Sequence, residues 1–485
     1  MILSYENGLM MKNTVFLACL FVVFSTSSQD KQAIKYAKTI NQEDLKSHLT
    51  ILSSDEFEGR ETGKKGQKMA AEYIARQFEK FGLETPVNDS YFQKFNLFES
   101  SISSVYFKKG NEKREGFSDF VYYSSAETRG EEYVTIFMSD HEDQMIEDYK
   151  GKYIAYVSES LRGLQPRMNR AKDAGAKGFI VLLTSEDEFV SVASRFGSFL
   201  QRSTLGLESR DNTSNQMIIG NKSLAEWLFD KPFDRIKEGD EQQLIFNADY
   251  LDRPIATENV LGFLRGSEKP EEIVAITAHY DHIGIIDGEI HNGADDDGSG
   301  TATVLELAQA FSIAASENSG PKRSILFMTV TGEEKGLFGS KYYTDSDPVF
   351  PLENTVANLN IDMVGRVDEK HSKSKDYIYL IGSDKLSREL HELSESVNKT
   401  YTRLKLDYTY NEENDPNRFY YRSDHYNFAK NNIPVIFYFN GTHPDYHRPS
   451  DTIEKINFSA MEKRARLVFH TGWEIANREE RLKLD

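Results

Sequence analysis

From residue 256 onward, short apolar runs alternate with amphipathic stretches of helical length. The runs at 273–277, 325–329, 355–361, 377–381 and 435–439 predict strands, and the stretches at 299–314, 387–398, 423–431 and 458–477 predict helices. Strands that alternate with helices usually form a mostly parallel sheet covered on both faces. The sequence therefore predicts an α/β fold in which a mostly parallel mixed sheet is sandwiched by helices.

Side chains that bind metals follow several of these apolar runs. They occur in five segments, 278–282 (AHYDH), 293–298 (GADDDG), 332–334 (GEE), 360–363 (NIDM) and 447–451 (HRPSD). Because the carboxyl ends of parallel strands meet at one edge of a sheet, these side chains are expected to lie close together. The pattern therefore predicts a metal site.

The overall charge limits the partners of the chain. It carries 77 acidic and 58 basic side chains, which gives a formal net charge of −19 at pH 7. Because no basic field is available, nucleic acids and anionic membrane surfaces are not expected partners. A length of 485 residues predicts more than one folded domain, and the sequence does not indicate an oligomeric state.

The first 28 residues have the pattern of a secretory signal peptide. Lys12 is followed by an apolar stretch at 14–24 and by small residues at 25–28. This stretch is too short to span a membrane comfortably, and cleavage near Ser28 is expected. The single cysteine, Cys19, lies within it, where lipid attachment is the alternative to cleavage. The mature protein is therefore predicted to be secreted or periplasmic and to bind metal through His, Asp and Glu alone.

The pattern of apolar and polar residues divides the chain after the predicted signal peptide into three parts. Residues 30–95 begin an α/β domain and contain a predicted helix at 62–83 that ends at Gly82. Residues 96–253 consist of short alternating runs, which predict a small inserted β-rich α+β domain. Residues 254–485 complete the α/β domain and carry all five segments.

The order of the five segments resembles that of the co-catalytic dizinc aminopeptidases. Their superfamily also contains glutamate carboxypeptidases, glutaminyl cyclases and the transferrin receptor ectodomain. The resemblance covers about 255–470 and, more weakly, 45–85, whereas 96–253 resemble a protease-associated domain. It implies a zinc exopeptidase fold that hydrolyses N-terminal residues from peptides with two zinc ions and a bridging hydroxide.

The resemblance also assigns metal ligands. It implies that Asp295 bridges the two zinc ions and is followed by a cis peptide bond at 295–296. The other implied ligands fall into one pair for each ion: His279 with Asp362, and Glu334 with His447. Three carboxylates and one hydroxide would balance the charge of two divalent cations. His443 is the rival of His447 in the last segment.

Other residues receive supporting roles. The resemblance implies that Glu333 is the general base, and Asp281 is placed to fix the tautomer of His279. Tyr420 is a candidate donor to the oxyanion of the reaction. Asp451 is expected either to support His447 or to cap a turn. The remaining histidines are not predicted to bind metal. His425 is expected to pack in the core, and His282 and His291 are not expected to coordinate a metal directly.

Three alternatives to an aminopeptidase stay open. A dizinc carboxypeptidase or dipeptidase would need a cationic pocket, for which Arg366, Arg418 and Arg422 are available. A glutaminyl cyclase would use one zinc ion and need not keep every ligand. A non-catalytic, receptor-like ectodomain would be expected to lack ligands or the base.

Overall fold

The computed structural model of the chain describes residues 29–124, 126–139, 149–208 and 216–485. The predicted signal peptide at 1–28, with Cys19, lies outside the described residues. In the ranges that are described, no helix combines the length and apolar character needed to cross a bilayer.

The helices lie at both ends of the described chain and between strands. They are α1 (Lys31–Ala37), α2 (Gln42–Leu52), α3 (Lys65–Phe81), α4 (Gln165–Asp173), α5 (Glu186–Leu200), α6 (Lys222–Phe229), α7 (Gly300–Ser316), α8 (Phe338–Lys341), α9 (Arg388–Val397), α10 (His425–Ala429) and α11 (Phe458–Asn477). The helix predicted at 62–83 is α3, which ends at Gly82 in the left-handed conformation with φ of 76°.

The strands up to the first metal-binding segment are β1 (Phe92–Lys109), β2 (Glu112–Glu115), β3 (Val121–Tyr123), β4 (Glu132–Met138), β5 (Tyr153–Ser158), β6 (Gly178–Leu183), β7 (Thr204–Gly206), β8 (Gln216–Gly220), β9 (Glu241–Leu264) and β10 (Lys269–His279). Those that follow are β11 (Gly284–Ile286), β12 (Glu289–His291), β13 (Arg323–Val330), β14 (Thr355–Ile361), β15 (Tyr377–Ile381), β16 (Lys405–Asp407) and β17 (Val435–Phe439).

The metal-binding segments follow parallel neighbours in the sheet. β13, β10, β14 and β17 lie side by side and run in the same direction. β9 and β15 flank this group antiparallel to β13 and β17. Helices cover the two faces, so the mixed α/β fold is as predicted. The carboxyl ends of the four parallel strands therefore meet at one edge.

Each face of the sheet buries its own apolar cluster. On one face, Phe311 of α7 and Trp473 of α11 stack with their ring centroids 5.9 Å apart. On the other face, Tyr343 and Phe428 pack 6.0 Å apart over the side chains of β13 and β10. The central strands are buried on both sides, which explains why they read as continuous apolar runs.

Residues 96–253, the inserted region, extend the same sheet. Among the described residues the sheet has fifteen strands, and its order continues from β9 through β4, β5, β6 and β8 to β3. The long strands β1 and β9 pair antiparallel from Phe92↔Val260 to Lys108↔Ile245. The predicted boundaries at 95/96 and 253/254 therefore fall inside two continuous strands rather than in linkers.

A buried arginine links the N-terminal segment to the loops that carry metal-binding residues. Arg60 is 1% exposed, and its guanidinium donates to four backbone carbonyls at 2.6–2.9 Å. These carbonyls belong to Leu52, Tyr280, Asn292 and Gly293. Arg60 thus ties the chain before α3 to two of the metal-binding segments.

Candidate metal centre

A first group of ligand atoms lies between the ends of β10 and β14. His279 is the last residue of β10, and Asp362 immediately follows β14. His279 Nε2 lies 3.3 Å from Asp296 Oδ1 and 3.7 Å from Asp362 Oδ1. All three residues are buried, and their ligand atoms lie close enough together to hold one metal ion.

A second group lies on the other side of the Asp296 carboxylate. Glu334 Oε1 is 2.8 Å from His282 Nδ1, and Glu334 Oε2 is 3.1 Å from His447 Nε2. Asp296 Oδ2 lies 3.1 Å from His447 Nε2 and 3.8 Å from His282 Nδ1. The six residues of the two groups, His279, His282, Asp296, Glu334, Asp362 and His447, are called the metal centre below.

Several polar atoms of the metal centre are buried without a hydrogen-bond partner in the described part of the chain. They are Asp296 Oδ2, Glu334 Oε1, both ring nitrogens of His282, and His447 Nε2. Burying polar atoms in this way is costly unless a cation or another partner compensates. A set of imidazole nitrogens and carboxylate oxygens at these spacings suits zinc. The donor set therefore fits zinc, and Asp296 belongs to both groups of ligand atoms.

The electrostatics of the metal centre favour positive charge. Burial acts to raise the pKa of Asp296, but the imidazoles of His279 and His447 beside it hold it well below its usual value. Burial and the charge of Asp296 also oppose ionisation of Glu334, yet His282 and His447 lower its pKa to about 2. The two carboxylates are therefore ionised at neutral pH and available as ligands.

Glu333 lies beside the first group without belonging to it. Its Oε2 is 3.9 Å from His279 Nε2, and its side chain faces a cavity of about 30 Å³. Burial raises the pKa of Glu333 well above its ordinary value; His279 opposes this effect, whereas Glu334 and Asp362 add to it. A carboxyl group with a raised pKa is suited to accept and return a proton near neutral pH.

Asp281 supports this region through different atoms from those predicted. Its carboxylate lies 3.9 Å from His279 Nδ1, and the nearer oxygen is the Asp281 carbonyl at 3.1 Å. The carboxylate instead accepts hydrogen bonds from Thr62 Oγ1 at 2.7 Å and from the Glu333 N–H at 3.3 Å. Asp281 thus positions the backbone of Glu333, while its own carbonyl orients the imidazole of His279.

Asp295 does not lie where a bridging ligand should lie. It is fully buried, and its Oδ1 accepts hydrogen bonds from the Gly365 N–H at 2.7 Å and from Ser299 Oγ at 3.0 Å. Its Oδ2 accepts one from the Asn440 amide at 3.0 Å. Asp296 occupies the shared position, and the cis peptide bond is between Asp296 and Asp297 rather than at 295–296. The sequence-based assignment was therefore one residue early, because Asp295 faces the supporting loops.

Asp297 is a supporting residue that the sequence analysis missed. Its carboxylate accepts hydrogen bonds from the backbone N–H groups of Gly300 at 2.8 Å, Met363 at 3.0 Å and His279 at 3.2 Å. It thereby joins three of the five metal-binding segments. Three adjacent aspartates with one turn signal gave no means of separating this role from that of a ligand.

Asp451 caps the loop that contains Asp295 and Asp296. Its Oδ2 accepts hydrogen bonds from the N–H groups of Asp295 at 2.9 Å and Asp296 at 3.2 Å. The capping role, which the sequence left as one of two expectations, is therefore the one that the contacts show.

The predicted oxyanion donor is not at the metal centre. Tyr420 contributes to a separate cavity and packs its ring 5.6 Å from that of His425. Tyr446 lies at the centre instead, with its ring stacked 3.9 Å from His447, and it contributes to the cavity beside Glu333. Its position next to His447 in the sequence was the only available signal.

The remaining histidines have separate environments. His443 Nε2 lies 3.1 Å from Asp295 Oδ2, so it contacts the supporting aspartate and not the metal centre. Burial lowers the pKa of His425 to about 3, and its ring stacks 4.8 Å from Phe437. His282, for which no coordination was expected, is within the second group.

The three arginines named as carboxylate-binding candidates also differ. Arg366 lies 2.9 Å from Asp445 and is therefore paired. Arg418 lies over the ring of Tyr421, 5.0 Å from its centroid, and faces the cavity of Tyr420. Only Arg422 among the three contributes to the cavity that contains Glu333.

Comparisons with known proteins point to the same part of the chain. Residues 259–472 match the sequence model of "Peptidase family M28". Aminopeptidase YwaD of Bacillus subtilis is 29% identical over 234 residues, which are 47% of this chain and 46% of that protein. A probable leucine aminopeptidase of Arthroderma benhamiae is 32% identical over 217 residues, 43% of this chain and 55% of that protein.

A solved structure is similar at lower sequence identity. The zinc aminopeptidase BSAP of Bacillus subtilis is 21% identical, with a TM-score of 0.49, over 91% of this chain and 96% of that chain. The aligned part of this chain spans about half the length of the two curated relatives above. Residues 259–472, which match the model of peptidase family M28, contain the entire metal centre.

Proposed function

We propose that the protein is an aminopeptidase that uses two zinc ions sharing Asp296. The observation that carries this proposal is the position of the Asp296 carboxylate, which faces His279 and Asp362 on one side and Glu334 and His447 on the other. His279 and Asp362 would hold one ion, and Glu334 and His447 the other. His282, 2.8 Å from Glu334, would orient that carboxylate or add a ligand.

The chemistry divides between the metal and the protein. Bound zinc supplies a Lewis acid for the scissile carbonyl and lowers the pKa of the attacking water. Glu333 takes the proton of that water and returns it to the leaving amine, for which its raised pKa is suited. Burial and nearby carboxylates raise the pKa of Tyr446 well above its usual value, so its phenol stays protonated and can donate to the developing oxyanion.

The shape and charge of the cavity support action at a peptide terminus. The cavity is small, about 30 Å³, and the buried carboxylates beside it favour a cationic group such as a free N-terminal amine. Its apolar wall contains Met363, Phe437 and Phe439, which suit an apolar side chain. These features support leucine-like N-terminal residues as substrates.

The proposal also includes the location and organisation of the protein. The pattern of residues 1–28 supports export, which makes the protein secreted or periplasmic. The inserted region is proposed to be an accessory domain of the protease-associated type. Cell fractionation, with N-terminal sequencing of the exported form, tests the first part, and an uncut intracellular chain would contradict it.

A carboxypeptidase or dipeptidase remains the second candidate because of one observation. Arg422 brings a guanidinium to the cavity, where it could bind the carboxylate of a substrate. The two candidates differ in which terminus of the peptide must be free.

The first experiment compares a leucine-led peptide with a free N-terminus and the same peptide acetylated. We expect the zinc-loaded protein to cleave only the free form and to lose activity with a chelator. Equal cleavage of both forms would refute an aminopeptidase and favour a carboxypeptidase or endopeptidase on the same centre.

A second experiment tests which aspartate is shared. Asp296→Asn should lose zinc, since the residue belongs to both ligand groups, whereas Asp295→Asn should keep two zinc ions per chain. Asp295→Asn should instead lower stability by about 1–3 kcal/mol, because a buried hydrogen-bond acceptor is replaced. Metal analysis after dialysis measures both variants, and the reverse result would restore Asp295 as the ligand.

A further inference from the structure

Arg422 is a cationic side chain that lines the cavity beside Glu333. The cavity contains His279, Glu333 and Asp362 on its polar side and Phe419 and Phe437 on its apolar side. Arg422 is exposed, and its guanidinium lies over the ring of Phe419, 5.0 Å from the centroid. The ring of Phe419 in turn packs 5.0 Å from the ring of Phe439, so the guanidinium lies against a pair of packed aromatic side chains.

The guanidinium of Arg422 has no hydrogen-bond or ion-pair partner within the part of the chain that the structure describes. Other arginines near the site are occupied: Arg366 pairs with Asp445, and Arg60 donates only to carbonyls. Arg422 lines the same cavity as the buried carboxylates of Glu333 and Asp362, yet among the described residues it forms an ion pair with neither of them. Its five N–H donors are therefore available to a ligand.

Arg422 is held close to the reacting centre by its neighbour in the chain. Ser423 is 1% exposed, and its hydroxyl donates to Asp362 Oδ2 at 2.7 Å. The backbone of residue 422 is thus fixed one position from a residue that contacts a proposed metal ligand. The Arg422 side chain lines the same cavity as Glu333 and Asp362.

We propose that Arg422 binds a carboxylate of the substrate and makes the enzyme selective for peptides that carry one near the scissile bond. This inference rests on the proposed peptidase function and names its preferred substrate class. The carboxylate can come from an acidic N-terminal side chain or from the C-terminus of a dipeptide. Both would accept two parallel hydrogen bonds from the planar guanidinium.

Two pairs of peptides distinguish the sources. Leu-Leu and Leu-Leu-amide differ only in the C-terminal carboxylate, whereas Glu-Leu-amide and Gln-Leu-amide differ only in the side-chain carboxylate. For each pair, the ratio of kcat/KM for the charged peptide to that for its neutral partner is measured in the unmodified protein, Arg422→Gln and Arg422→Lys. Arg418→Gln is the matched control, since Arg418 faces a different cavity.

We expect Arg422→Gln to lower the ratio for one pair about 10- to 100-fold, mainly through KM, because a charge-assisted bidentate contact is lost. Arg422→Lys should restore part of the ratio, and Arg418→Gln should leave both ratios unchanged. The pair that responds identifies the source of the carboxylate. If neither ratio changes in Arg422→Gln protein that retains its zinc, the inference is wrong.

A binding measurement separates this inference from the proposed function. Titration of the four peptides into zinc-loaded Glu333→Gln protein, with and without Arg422→Gln, does not require turnover. Tighter binding of a charged peptide that disappears with Arg422→Gln supports the inference even if the unmodified protein hydrolyses none of the peptides. Equal binding of charged and neutral peptides would refute it even if the protein is an active aminopeptidase.

Discussion

Glu306 and His48 form a buried pair whose protonation should control how stability depends on pH. Glu306, on α7, is 1% exposed, and its Oε1 lies 3.8 Å from His48 Nε2. Burial raises the pKa of Glu306 from 4.5 to about 8, with the Asn41 N–H opposing and Asp44 adding to the effect. Burial also lowers the pKa of His48 from 6.5 to about 4. The two groups are therefore a neutral pair at neutral pH and not a salt bridge.

The two shifts act on stability with opposite signs. Between pH 4.5 and 8, folded Glu306 holds a proton that the unfolded chain releases, so its contribution to stability falls as the pH rises. Between pH 4 and 6.5, folded His48 lacks a proton that the unfolded chain binds, so its contribution rises with pH. The effects nearly cancel up to pH 6.5. Above pH 6.5 only the contribution of Glu306 changes with pH. The interval from pH 6.5 to 8 is 1.5 pH units, which at about 1.4 kcal/mol per unit lowers the free energy of unfolding by about 2 kcal/mol.

Glu306→Gln should abolish this loss. Urea unfolding at pH 6.5 and 8, at constant ionic strength and zinc concentration, measures the free energy of unfolding of the variant and the unmodified protein. We expect the variant to gain about 2 kcal/mol relative to the unmodified protein between the two pH values. Glu392→Gln, on the exposed surface of α9, is the control and should not change the pH dependence. The same pH dependence in Glu306→Gln and unmodified protein would refute the reasoning.

Three further substitutions test the site and its supports. Glu333→Gln should keep both zinc ions but lower kcat about 10²- to 10⁴-fold, and near-normal turnover would exclude Glu333 as the base. Arg60→Met should lower the free energy of unfolding by about 3 kcal/mol or more, because three buried carbonyls and one partly buried carbonyl lose their donor, and an unchanged urea midpoint would contradict this. Gly300→Ala should weaken zinc binding about tenfold or more, since a Cβ would lie 2.3 and 2.4 Å from the carboxylate oxygens of Asp297. Gly197→Ala, with no atom within 4 Å of the added Cβ, is its control, and equal zinc affinity in the two glycine variants would refute the steric argument.

The sequence predicted the central sheet well for a physical reason. Strands such as β14, β15 and β17 are buried on both faces, so they appear as unbroken apolar runs with the bounds that the structure gives. The domain boundaries could not be read in the same way. β9 changes from an alternating, half-exposed pattern to a buried one at about residue 257 without any interruption of the strand. A change in composition therefore marked a change in burial and not a linker.

Within the site, the sequence identified the metal-binding segments more accurately than it assigned roles to the individual side chains in them. His279 and Asp362 each stand at the end of a buried strand, where the direction of the chain leaves little choice of position. Asp295, Asp296 and Asp297 are chemically identical, and the backbone path alone decides which of them faces the metal centre. The choice of Tyr420 over Tyr446 had the same origin, because both residues adjoin metal-binding or supporting segments in the sequence.

The shared strand β9 gives the protein a mechanical property. Its first part pairs with β4 in the inserted region, and its last part pairs with β13. A pull on the inserted region along β9 would load the hydrogen bonds between the antiparallel strands β9 and β13 in shear. Glu333 and Glu334 follow the end of β13 within four residues. Tension on the inserted region would thus reach Glu333, the proposed base, and Glu334, a proposed metal ligand.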